Sequence, residues 1–207
     1  MTKCDHGYMK GLREQYAYQV LQLIDGRRYH ALKKHESPDY ITPGHEIGVE
    51  VVSVSPEGSQ EVESLFSKLV RGKPGNRAGC IARLNIIGAE LVCDADETPI
   101  GIVEPSYWVT FEPIENAVVN KLRLLNSVYE QCRSNELFVY TEIGPGPEGW
   151  ESYLSQLCEL SESFPAHFNR IILNEPWLLM VFDIDNNSCT EIDFADEDYA
   201  SCRGICP

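Results

Sequence analysis

The chain has 207 residues, 43% of them hydrophobic, with 17 Lys and Arg against 32 Asp and Glu and a formal net charge of −15. That length and apolar content suffice for a packed core and exclude a disordered chain, and no apolar run reaches the roughly 18 residues of a membrane-spanning helix. With no apolar secretory segment at the N-terminus, the expectation is a soluble, cytoplasmic protein without a membrane partner.

From Gly11 to Asp25, Leu12, Ala17, Val20, Leu21 and Ile24 recur mostly at three- and four-residue steps, which predicts an amphipathic helix ending near Gly26, with Glu14 on the flank of its apolar stripe. Three strands are expected next, at Arg28–Lys34, Pro38–Thr42 and Ile47–Val54, the last two joined by the turn Pro43-Gly44-His45-Glu46. A polar helix from Ser59 or Gln60 to Val70 leads into a basic, glycine-rich loop, Arg71–Gly79. Strand-like segments follow at Cys80–Ile87, Glu90–Cys93, Ile100–Val103 and Tyr107–Phe111. A long helix is expected over Ile114–Arg133, with Ile114, Val118, Leu122, Leu125, Tyr129 and Cys132 on one face, then a strand at Leu137–Thr141 and a helix at Trp150–Glu162. Strands at Arg170–Leu173 and Leu178–Phe182 complete the pattern, which reads as one α/β domain over residues 1–190 with a mixed central sheet flanked by helices. The acidic residues from Glu191 to Asp198 begin a solvated, flexible tail over 191–207.

Two acids in this pattern carry chemistry. Asp39 and Glu50 fall on the two arms of one predicted hairpin, and a carboxylate pair on adjacent strands is a common way to hold Mg²⁺ for phosphodiester hydrolysis. Each also has a plain structural reading: Pro-Asp is ordinary turn chemistry, and Glu50 suits the exposed face of a half-buried sheet.

The stretch Pro38-Asp39, followed by Gly48-Val49-Glu50-Val51, resembles the PD-(D/E)xK, or restriction-endonuclease-like, nuclease superfamily. Members share a core of helix, three-stranded meander, helix and strand, with an acid on the first helix, an Asp on the second strand and Glu-x-Lys on the third. This chain supplies Glu14, Asp39 and Glu50 in that order, most clearly over residues 10 to 70. The resemblance implies a metal site of Glu14, Asp39, Glu50 and the Val51 carbonyl, loaded with Mg²⁺ or Mn²⁺. The chain departs from the pattern at Val52, where the catalytic lysine is expected. In some members that lysine has moved to a helix, and Lys121, on the flank of the long helix's apolar stripe, is the substitute, although a snorkelling role is its simpler reading. Lys33 and Lys34 are further candidates, one of which should face the same side as Asp39. The resemblance also allows a homodimer.

Other patterns say less. Arg71, Lys73 and Arg77 in the basic loop suit a nucleic-acid backbone, but the loop lacks the Gly-Lys-Ser/Thr ending of a phosphate-binding P-loop. Asp183-Ile184-Asp185-Asn186-Asn187 has neither the Gly nor the final Glu of a calcium loop. The histidines are dispersed, there is no serine or cysteine nucleophile motif, and the eight cysteines are scattered, as for reduced thiols. Charge is uneven: residues 1–88 hold 12 Lys and Arg against 10 Asp and Glu (+2), and residues 89–207 hold 5 against 22 (−17), which together make −15. Only the first half suits a polyanion, while the second suits a basic partner. Three functions follow: a divergent metal-dependent nuclease acting on DNA or RNA; a catalytically silent protein of the same fold that binds a basic partner, as an immunity protein does; and an unrelated α/β regulatory domain.

Overall fold

The computed structural model describes residues 3–55, 59–71, 77–103, 111–141, 149–175 and 178–192. In chain order it forms α1 (Lys3–Ile24), α2 (Gly26–Tyr29), β1 (Lys33–Lys34), β2 (Tyr40–Ile41) and β3 (Ile47–Val54), then α3 (Ser59–Arg71), α4 (Arg77–Ile87), β4 (Glu90–Cys93) and β5 (Pro99–Val103). It continues with α5 (Glu112–Leu125), β6 (Ser134–Thr141), α6 (Trp150–Glu162), β7 (Arg170–Asn174), β8 (Leu179–Asp183) and β9 (Ser188–Ile192). Two compact units result: Met1–Val54 with Thr110–Pro207, and Ser55–Val109.

The first unit is built on a seven-stranded mixed sheet in the order β1-β2-β3-β6-β7-β8-β9. β1, β2 and β3 form an antiparallel meander, β6 and β7 run parallel to β3, and β8 and β9 return antiparallel. The three parallel strands are apolar on both faces, as such strands must be when helices cover both sides. On one face Val49, Val51, Phe138 and Ile172 pack with Tyr16, Ala17, Val20 and Leu21 of α1. On the other, Val54, Leu137, Val139 and Ile171 pack with Ile114, Val118 and Leu122 of α5 and Trp150, Tyr153 and Leu157 of α6. Alternation along each strand therefore produces two cores from one set of strands. Gly48 allows the meander to close, because a Cβ there would lie 2.8 Å from Cys132 Sγ and 3.0 Å from Pro38 Cγ.

The Ser55–Val109 unit packs α3 and α4 through Val62, Leu65, Cys80, Leu84 and Ala89, with β4 and β5 as an antiparallel pair. Cys80–Ile87, expected as a strand, is helical. Cys80 and Leu84 are its buried residues, four positions apart, whereas Ile86 is 75% exposed, so its apolar residues do not form a buried strand face. Gly88, at φ +87°, turns the chain out of α4.

Three other expectations change. Arg28–Lys34 is a strand only at Lys33–Lys34, because the Asp25 side chain accepts a hydrogen bond from the Arg28 N–H at 3.0 Å and starts α2 instead. The long helix stops at Leu125, where Asn126 caps it, so Tyr129 and Cys132 are placed by the following loop. The acidic segment begins inside a strand, since Glu191 and Ile192 belong to β9. Most of the predicted strand at Tyr107–Phe111 and residues 193–207 lie outside the described residues.

α2 is pinned to the sheet by a buried carboxylate. Glu136, fully buried on β6, accepts from the Arg28 guanidinium, from the Tyr29 hydroxyl at 2.6 Å and from Ser134 Oγ at 3.2 Å. Removing one partner of such a pair strands a charge out of water, which costs far more than the pair contributes over a neutral replacement. Arg28→Met is expected to lower unfolding stability by about 3 kcal/mol, read from the urea midpoint. A loss below about 0.5 kcal/mol would show that Glu136 draws its compensation elsewhere.

Candidate active site

The site begins with a strand that ends early. β2 pairs with β3 only at Tyr40↔Val49 and Ile41↔Gly48, and continuing that register by one residue sets Asp39 opposite Glu50. Side chains directly opposite in an antiparallel ladder share a face. Tyr40 and Val49 point to the α1 core, so Asp39 and Glu50 belong to the α5 face. Asp39 is 1% exposed and leans across the strand end, where its Oδ2 accepts the Val51 N–H at 2.9 Å. A residue's N–H and C=O point to the same edge of a strand, so the Val51 carbonyl opens toward Asp39 as well.

Glu50 is 4% exposed. Its Oε1 accepts from Lys121 Nζ of α5 at 2.5 Å, while its Oε2 is buried and has no assigned hydrogen-bond partner among the described residues. Lys121 Nζ also reaches the Tyr129 hydroxyl at 3.3 Å. Burial first, then the charge of Glu50 and hydrogen bonding to it, and last the charge of Asp39, hold the Tyr129 hydroxyl well above its ordinary range, so it stays protonated.

Glu14 approaches from the α1 side and is 6% exposed. Its Oε2 accepts from Lys34, whose ammonium also lies 4.0 Å from Asp39 Oδ1 and 4.9 Å above the Tyr40 ring. Tyr40 in turn stacks on Tyr18, with ring centroids 5.6 Å apart. Burial, followed by the charges of Glu14 and Asp39, pushes the Tyr40 hydroxyl up to about 12. Asp39 thus acts electrostatically on tyrosines of both halves of the cluster.

The predicted residues therefore fall into two sets of ion pairs, Lys34 with Glu14 and Asp39, and Lys121 with Glu50. Val52, where the resemblance expects a lysine, packs instead against the α5 core. No group of three or more His, Cys, Asp or Glu side chains that could hold a metal ion occurs among the described residues. The donor chemistry nevertheless suits a hard divalent cation: Glu14, Asp39 and Glu50 are buried carboxylates, and Glu50 Oε2 is a buried oxygen with no hydrogen-bond partner among the described residues. Arg71 ends α3 and Arg77 opens α4 in the other unit, both exposed, and Arg77 donates to the Glu97 carbonyl. Lys73 lies outside the described residues. Tyr129 escaped the sequence reading, which placed it on an apolar helix face; only recognition of Asn126 as a helix stop would have released it. No family model, curated protein or solved structure matches this chain at a significant level.

Two measurements check this geometry. Lys121→Met leaves Glu50 buried without a counter-charge and should cost about 3 kcal/mol of stability, most of it recovered when Glu50→Gln is added. A double-mutant cycle should give a coupling of about 1–3 kcal/mol, and additive effects would mean that the two groups do not interact. The raised Tyr40 hydroxyl makes stability pH-dependent with a definite sign. A folded value of about 12 against an ordinary 10.0 means that the contribution is complete below pH 10 and is lost as pH rises toward 12. The difference in unfolding free energy between wild type and Tyr40→Phe should fall across that window; a level difference would place Tyr40 in solvent.

Proposed function

We propose that this chain is a divergent, metal-dependent nuclease of the restriction-endonuclease-like kind, hydrolysing phosphodiester bonds of DNA or RNA. The observation that carries the reading is the ammonium of Lys121 against Glu50, beside an Asp39 that the strand register sets on the same face. A helix thus supplies the cation that Val52 cannot. The order of helix, three-stranded meander, helix and parallel strand also supports it, with the Ser55–Val109 unit inserted between meander and helix.

In this reading Asp39 and Glu50, with the Val51 carbonyl and Glu14, would hold Mg²⁺ or Mn²⁺. The chemistry such an ion supplies is polarisation of the phosphoryl oxygen and a lower pKa for the attacking water. The chain's own contribution is positional and electrostatic. The backbone bond from Val51 fixes the Asp39 carboxylate, and the close packing at Gly48 fixes the hairpin that carries both acids. Lys121 stabilises negative charge developing on the phosphoryl group, and the protonated Tyr129 hydroxyl helps to hold that ammonium in place. Lys34 moderates repulsion between Glu14 and Asp39. Arg71, Lys73 and Arg77 remain candidates for contact with the nucleic-acid backbone, and a homodimer remains part of the proposal.

A specific observation favours a second reading, a silent protein of this fold that binds a basic partner: the site's carboxylates are already matched with lysines, and residues 89–207 carry −17. One assay separates the two. With Mg²⁺ or Mn²⁺, on single- and double-stranded DNA and RNA, the wild type should cleave, Asp39→Ala and Glu50→Ala should not, and Lys121→Ala should be about 10²–10³-fold slower. Cleavage that survives both acid substitutions overturns the assignment. A wild type that cleaves nothing, but binds a Lys/Arg-rich polypeptide with an affinity that falls with salt, establishes the second reading.

A further inference from the structure

A pocket of 420 Å³ opens beside the hairpin, lined by Lys33, His35, Ile41, Pro43, His45 and Glu130 among others. It lies on the same side of the sheet as Glu50. Lys33 pairs with Ile41, and Lys34 with Tyr40; since Tyr40 and Lys34 turn to the α1 side, Ile41 and Lys33 turn to the α5 side. Its walls are tied to the catalytic loop by backbone bonds from His35 N to the Asp39 carbonyl at 2.8 Å and from Glu130 N to the Ser37 carbonyl at 3.1 Å. Glu130 also follows Tyr129 directly in the chain.

The lining combines apolar, imidazole, ammonium, hydroxyl and carboxylate groups. Ile41 and Pro43 are apolar. His35 and His45 present flat rings, held by Glu130, whose Oε2 lies 3.5 Å from His35 Nε2 and whose Oε1 lies 2.9 Å from His45 Nδ1. With both oxygens of Glu130 facing imidazoles, Lys33 is exposed and has no ion-pair partner among the described residues. A flat ring surface beside a cation and an apolar floor is how proteins take up single-stranded nucleotides, by stacking on the base and pairing with the phosphate. The volume is within the range of small-ligand sites, roughly 300–1,000 Å³.

We propose that this pocket binds one nucleotide of the substrate strand, adjoining the scissile position, with Lys33 on its phosphate and the His35 and His45 rings against its base. The proposal rests on the nuclease reading and names where the strand runs once it leaves Asp39 and Glu50. It makes Lys33 and His45 substrate-binding residues.

Two readouts test it. In the cleavage assay, Lys33→Ala should raise KM for a single-stranded oligonucleotide about tenfold, with a smaller effect on kcat, and should make the salt dependence of log KM shallower by about 1, as expected for one lost phosphate contact. His45→Ala should also raise KM, whereas Arg123→Glu, a change of charge on the outer surface of α5, should not. Independently of cleavage, titration with thymidine 5′-monophosphate should shift the ring NMR signals of His35 and His45 in the wild type, and the shifts should vanish in Lys33→Ala. A chain that cleaves with a KM indifferent to Lys33 and His45 overturns the pocket alone. Ring shifts in a chain that cleaves nothing keep the pocket and remove the nuclease reading. Neither cleavage nor ring shifts overturns both.

Discussion

The hydrogen bond from the Val51 N–H to the Asp39 carboxylate is the constraint on which the rest of this site depends. β3 continues to Val54, but β2 ends its pairing at Val49, so beyond that point one edge of β3 has no strand beside it. A buried backbone donor must find a partner, and the carboxylate of the residue just before β2 supplies one. That single contact satisfies the donor, fixes the acid, and turns the Val51 carbonyl toward the same gap. Had β2 run on, the gap would be filled by a ladder and Asp39 would be an ordinary strand residue.

Placing three carboxylates in and around such a gap is unfavourable unless charge is matched, and the chain matches it from two directions. Lys34, beside the meander, serves Glu14 and Asp39; Lys121, from α5, serves Glu50. The exposures of the two lysines differ in a way that bears on function. The Lys34 side chain is 53% exposed, whereas that of Lys121 is 20% exposed and held by Glu50 and Tyr129. In the proposed nuclease reading Lys121 is therefore the more firmly held of the two charges.

How much of this was legible in the sequence depended on which forces set each element. α6 was readable to its ends, and so was the apolar face of α5, because the buried residues Ile114, Val118, Leu122 and Leu125 keep helical spacing. α4 was not, because apolar density at Cys80–Ile87 looked like a strand while only two of its side chains are buried. β1 was overextended because an Asp cap outweighs weak alternation. Within the site, Glu14, Asp39 and Glu50 were identifiable from their order along the chain. Their partners were harder to see: Lys34 was one of two candidates until its contacts with Glu14 and Asp39 set it apart from Lys33, and Tyr129 depended on a helix end that periodicity does not mark. Pairings across 71 residues, such as Lys121 with Glu50, are set by the crossing of α5 over the sheet, which local pattern does not encode.

The overall charge and the local charge of the hairpin act over different distances. At physiological ionic strength, charges more than about 8 Å apart across solvent are largely screened, so −15 spread over the whole chain sets long-range attraction and association rate rather than what a phosphate meets once it arrives. At the meander the exposed charges are mixed: Lys33 and Lys34 stand beside Glu36, Glu46 and Glu130, around the buried Asp39 and Glu50. The rim of the Asp39–Glu50 gap is therefore where the two proposed functions would differ, since a nucleic acid and a basic partner require opposite signs there.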